Sequence, residues 1–150
     1  MNIRQDLKTQ AQQQINDYRK ELIDVSLEIH ANPELSLEEV EVVKGLTDYL
    51  DRKGFTVERG AYEMPTAFEA TYGTGTPHIG IIAEYDALPG IGHACGHNII
   101  ATAALGAGLA TKVAVDALGG TIHVIGTPGE EGKGGKIMMA KKGAFSNLDA

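Results

Sequence analysis

Apolar residues at Ile3, Leu7, Ala11, Ile15, Tyr18, Leu22 and Ile29 recur at helical spacing, with Gln, Lys and Asp between them. They predict a long amphipathic helix over about the first thirty residues, covering one face of a sheet. Asn32-Pro33 ends it, because the residue before a proline is driven out of the α region. Ser36-Leu37-Glu38-Glu39 reads as a capping box, with Ser36 at the cap and Glu39 reaching back to it. Leu37, Val40, Val43, Leu46 and Leu50 supply the buried stripe of a second helix, which Gly54 ends after Arg52-Lys53.

The pattern then changes. Residues 55–58, 66–72 and 78–83 read as three strands, and the loop Gly73-Thr74-Gly75-Thr76-Pro77 suggests an antiparallel hairpin between the last two. Asn98 can cap a helix over 98–118 that is apolar nearly all round and therefore belongs between layers, closed by Gly119-Gly120. Residues 121–127 form another strand, and a weaker helical pattern follows from Ile137 to Lys142. Strand, helix and strand over 78–127 make a βαβ unit, whose crossover leaves both strands parallel. The loops after the two strands then open on one edge of the sheet, where ligands of open α/β folds bind. The fold class expected is α/β, three layers of α/β/α around a mixed, mostly parallel sheet.

Composition narrows the function. The chain has 150 residues, 43% hydrophobic and 22% charged, enough for one domain with a core. A net charge of -7 argues against nucleic acid, whose binding needs clustered Lys and Arg. No stretch reads as apolar over the ~18 residues of a membrane span, and Met1-Asn2-Ile3-Arg4-Gln5-Asp6 lacks a secretory signal's pattern. A cytoplasmic location with no membrane partner is the expectation, and one cysteine, Cys95, fits it.

The two loops carry the chemistry. His93-Ala94-Cys95-Gly96-His97 follows the first strand of the βαβ unit, and Glu130-Glu131 follows the second. A thiolate, imidazoles and carboxylates are the ligand set that borderline-soft divalent ions prefer. Two adjacent glutamates are costly to bring into a site unless a cation compensates them. His93 either ligates or supports its loop, while His30, His78 and His123 read as a helix-end residue and two strand residues. Gly90-Ile91-Gly92 sits where a dinucleotide fingerprint would, but the third glycine is displaced by one and no acid ends the next strand. A nicotinamide-binding oxidoreductase is thus the runner-up, beside a Cys95 nucleophile and a non-catalytic metal-binding module. Residues 129–136 lack the Gly-Lys-Ser/Thr ending of a phosphate loop.

The run from Ala83 to Asn98, followed by Gly-Thr-Pro-Gly-Glu-Glu-Gly-Lys-Gly-Gly-Lys and preceded by His30-Ala31-Asn32-Pro33-Glu34-Leu35-Ser36, resembles the amidohydrolase and dipeptidase branch of the M20 peptidase family. The resemblance implies a zinc-peptidase-like catalytic domain, here incomplete, with zinc or manganese, two ions per complete site. It implies a small N-acyl amino acid or dipeptide as substrate and a homodimeric parent. Carried over by residue, the metal ligands fall on Cys95, His97 and Glu131, the general base on Glu130, and the aspartate that orients a ligand on Asp86. Distant members place a ligand histidine where this chain has Glu84, and Cys95 takes that ligand's place. Asn98 and Glu84-Tyr85-Asp86 are similar to the sub-branch of dipeptide and aminobenzoyl-glutamate hydrolases. The remaining ligands and a lid or dimerisation domain are expected beyond Ala150, leaving the isolated chain with little or no activity.

Overall fold

The computed structural model describes residues 3–150. Helix α1 (Ile3–Ala31) and helix α2 (Val40–Arg52) precede strands β1 (Thr56–Arg59), β2 (Phe68–Thr74) and β3 (His78–Ala83). Helix α3 (His97–Leu118), strand β4 (Gly120–Gly126) and a shorter helix α4 (Gly135–Lys141) complete the chain.

The four strands form one mixed sheet in the order β1-β2-β4-β3. β3 and β4 pair in parallel through the α3 crossover, with Ile79 opposite Ile122 and Ile81 opposite Val124. The other two pairings, β1–β2 and β2–β4, are antiparallel, so in this chain the sheet is mixed but not mostly parallel. The expected β2–β3 hairpin is absent, because β4 inserts between those strands. β4 is buried on both faces along nearly its whole length, a pattern suited to a central position.

Helices cover one face. Leu46 and Leu50 of α2 and Leu105 and Leu109 of α3 pack with Phe68 and Ile122 in the main core. Truncating any one of them to alanine would cost about 2–5 kcal/mol. The opposite face is thinner, with Ile125 meeting Met64, Met139 and Ala144. Helical cover on both faces makes the three layers.

Helix α1 does not lie on the sheet as expected. It packs on the outer side of α3, where Ile15 and Leu22 sit over Gly106, while Gly108 two residues on faces Val124 of the sheet. By length and composition α3 is apolar enough to cross a membrane, contrary to the reading from sequence. Its apolar girth is instead taken up between β4 and α1.

The expected caps also differ. Ser36 does not cap α2; the Glu34 carboxylate does, accepting the N–H groups of Glu41 at 3.1 Å and Val42 at 2.8 Å. Asn98 lies inside α3, where its side chain donates to Ser26 Oγ at 3.0 Å, and Gly96 stands at the cap with φ +78°.

Candidate metal centre

The loop leaving β3 is anchored by Tyr85, which is fully buried, stacks on Phe68 and donates its hydroxyl to the Thr66 carbonyl at 2.6 Å. That anchor presents Asp86, also buried, beneath the rim of the sheet. Asp86 Oδ2 accepts from the Ser36 hydroxyl at 2.7 Å and the Glu131 N–H at 2.9 Å, and Oδ1 lies 3.0 Å from His97 Nδ1. Burial alone would raise its pKa; the Ser36 hydroxyl, the Glu131 N–H and the His97 ring outweigh it and hold the carboxyl below its usual range. His97 Nδ1 is also 2.8 Å from the Asp86 carbonyl. With acceptors on that side, Nδ1 carries the proton and Nε2 keeps its lone pair for a metal.

Nε2 faces the second loop. Glu131 Oε1 lies 3.7 Å from it and Glu130 Oε2 3.9 Å. The two glutamates occupy a short helical turn broken at Glu131, whose ψ of 91° brings both carboxylates toward the same histidine. The loop closes tightly on itself: the Gly135 N–H donates to the Gly129 carbonyl at 3.1 Å, and a Cβ on Gly135 would run into the Pro128 carbonyl. One ligand atom each from His97, Glu130 and Glu131 lie within 4.8 Å of one another, close enough to surround one ion. This donor set of nitrogen and oxygen suits a divalent cation.

Cys95, expected as a ligand, is free and exposed and is not among the three residues whose ligand atoms converge. A hydrogen bond to the Glu131 carboxylate, with smaller effects of burial and of the Glu131, Glu130 and Asp86 charges, pushes its thiol up. A divalent cation among the same acids would reverse that sign and favour the thiolate. His93 is buried and stays outside the group. Its ring is 6.5 Å from that of His30, and burial followed by the charges of His30 and His97 lowers its pKa. His78 and His123 hydrogen-bond to each other on another part of the sheet.

Three participants escaped sequence reasoning. Glu84 Oε2 is 3.6 Å from His97 Nε2, nearer than either member of the acidic pair. Lys136 pairs with Glu84 and lies 3.9 Å from Glu130, placing one ammonium among the carboxylates. Ser36, read as a cap, ties the two loops together instead, its hydroxyl within 2.8 Å of the Glu131 carbonyl as well as near Asp86. The only signals were Glu84 two residues before Asp86 and a lysine in the glycine run after Glu131. The same geometry disfavours a dinucleotide, whose pyrophosphate would meet Glu84, Asp86, Glu130 and Glu131.

A histidine pinned on one nitrogen and ringed by acids on the other, at the carboxyl rim of a βαβ unit, defines the class: an α/β domain built around a candidate divalent-metal centre. Comparison with known proteins carries this further, although no family model matches the chain. It is 37% identical over 151 residues to a component of the p-aminobenzoyl-glutamate hydrolase of Escherichia coli, covering 88% of this chain and 31% of that protein. It is 38% identical over 161 residues to human Xaa-Arg dipeptidase, covering 95% of this chain and 37% of that protein. A Bacillus subtilis structure described as a dinuclear metal binding peptidase from the M20 family superposes with a TM-score of 0.73 at 28% identity, covering 89% of this chain and 41% of that one. The chain belongs to the M20 peptidase family. It spans about a third of the length of the curated relatives it matches.

Proposed function

We propose that the chain carries part of the active site of a metal-dependent hydrolase acting on the amide bond of a small N-acyl amino acid or dipeptide. The observation that carries this is the convergence of His97 Nε2 with Glu130 and Glu131. The names of the relatives, a hydrolase of an aminobenzoyl-glutamate and a dipeptidase, support the substrate class.

Cys95, His97 and Glu131 would hold the metal, zinc or manganese, with two ions in a complete site. When bound, the metal supplies Lewis-acid polarisation of the scissile carbonyl and lowers the pKa of water to roughly 7. Glu130 removes the proton from the attacking water and delivers it to the leaving amine. Asp86 fixes the tautomer and orientation of His97. Remaining ligands and a lid or dimerisation domain would come from chain outside these residues, within a homodimeric, cytoplasmic parent.

The test is a chain lengthened to the size of its relatives, assayed on a panel of N-acyl amino acids and dipeptides with metal content measured in parallel. Glu130→Gln should remove turnover and leave metal content intact. Loss of metal in that variant would make Glu130 a ligand, and absence of any amide hydrolysis by the metal-loaded lengthened chain would overturn the proposal.

A further inference from the structure

We propose that Glu39 is a positioning residue for this centre: by accepting the backbone N–H of Gly129, its carboxyl group sets where Glu130 and Glu131 stand. The inference rests on the metal-centre reading and adds to it a group that touches none of the ligands.

Glu39 stands immediately before α2 with no exposed surface, 90 positions from the residue it holds. One oxygen, Oε1, takes two backbone donors, Leu37 N–H at 2.9 Å and Gly129 N–H at 2.8 Å. The other oxygen, Oε2, is buried and has no hydrogen-bond partner among the described residues. Burying a carboxyl this way is costly, and among the described residues no ion pair offsets it, so its role at this position lies in what Oε1 does.

Both turns it joins are constrained. Leu37 has φ +68°, a left-handed conformation that is strained for a residue with a side chain. Gly129 has φ +65°, and a Cβ there would come within 2.7 Å of Leu37 Cδ2. Glu39 therefore locks two left-handed turns against each other, and the acidic pair begins one residue beyond the lock. Burial pushes the Glu39 carboxyl above its usual range, against the pull of the Leu37 and Gly129 N–H groups. A neutral acid can still accept both bonds through its carbonyl oxygen, more weakly than a carboxylate would. An amide can therefore replace it, whereas a methyl group cannot.

The experiment compares the 150-residue chain with Glu39→Gln and Glu39→Ala, each checked for folding by circular dichroism. Amide hydrogen exchange is read at Gly129 by NMR, and Mn2+ affinity by calorimetry. Glu39→Gln should keep both within about threefold, while Glu39→Ala should lose about tenfold or more in Gly129 protection and in Mn2+ affinity. Should the alanine variant not fold, Glu39→Asp takes its place: its shorter side chain draws the oxygen away from Gly129 and should bring the same losses. Unchanged Gly129 exchange in a folded Ala or Asp variant would overturn the proposal, as would Glu39→Gln failing to restore protection. Absence of Mn2+ uptake by the unmodified chain lengthened to the size of its relatives would instead sink the metal reading, and the exchange arm would still decide the role of Glu39.

Discussion

Two clusters in this molecule use the same side chains to opposite ends. Around His123, Nδ1 lies 2.6 Å from Glu69, Nε2 lies 2.9 Å from His78 Nδ1, and Tyr62 donates to the other oxygen of Glu69. Around His97, only Nδ1 is satisfied; Nε2 looks out on Glu84, Glu130 and Glu131 at 3.6–3.9 Å, with Lys136 the one ammonium beside them among the described residues. The first cluster closes its own hydrogen bonds around Glu69. The second gathers Glu84, Asp86, Glu130 and Glu131 against that one lysine, an imbalance a divalent cation would relieve. Proximity of histidine to carboxylate is thus a poor guide to a metal centre. The useful sign is a ring held on one side and left open toward acids on the other.

The largest break in this contrast should come from His97→Ala, with divalent uptake by the chain, read by calorimetry, falling by at least about a hundredfold. Cys95→Ser should weaken uptake by about tenfold, because the hydroxyl is a poorer ligand for a borderline-soft ion than a thiolate. Unchanged metal content in that variant would remove Cys95 from the ligand set. His123→Gln should leave metal affinity where it was and lower unfolding stability by about 1 kcal/mol in a denaturant titration, since it breaks a half-buried hydrogen-bonded pair. A clear loss of metal there would erase the distinction between the clusters.

The smallest effect concerns pH. Asp86 has a folded pKa below its unfolded one, so its contribution to stability is full above the ordinary aspartate value of about 3.9 and is lost as pH falls through the folded value. Thermal melts of Asp86→Asn should therefore show a flatter acid limb than the unmodified chain. A limb of equal slope would mean that other carboxyls dominate acid unfolding.

Much of this was legible in the sequence where a local rule decides the outcome. The 3.6-residue spacing located α1, α2 and α3, and the βαβ order placed Asp86 and His97 on the same rim as Glu130 and Glu131. What escaped was decided by contacts far apart in the chain. Ser36 has a capping residue's side chain, but Asp86 and Glu131, 50 and 95 positions away, compete for its hydroxyl, and Glu34 takes over the cap. A glycine-rich loop before β3 suggests a hairpin from local chemistry alone, whereas the crossover returns β4 into the gap. Lys136 and Glu84 find each other only after both loops have folded, and nothing in their sequence neighbourhoods announces the pair.

Gly135 bears on the inheritance of such a centre. It carries no reactive group, yet the Pro128 carbonyl occupies the space its side chain would need. Conversion to alanine would prise open the loop that carries both acids while leaving every chemically active residue intact. A descendant altered there could keep the whole recognisable signature and be catalytically mute, so the residue at 135 is worth inspecting before a motif match is taken as proof of a working enzyme.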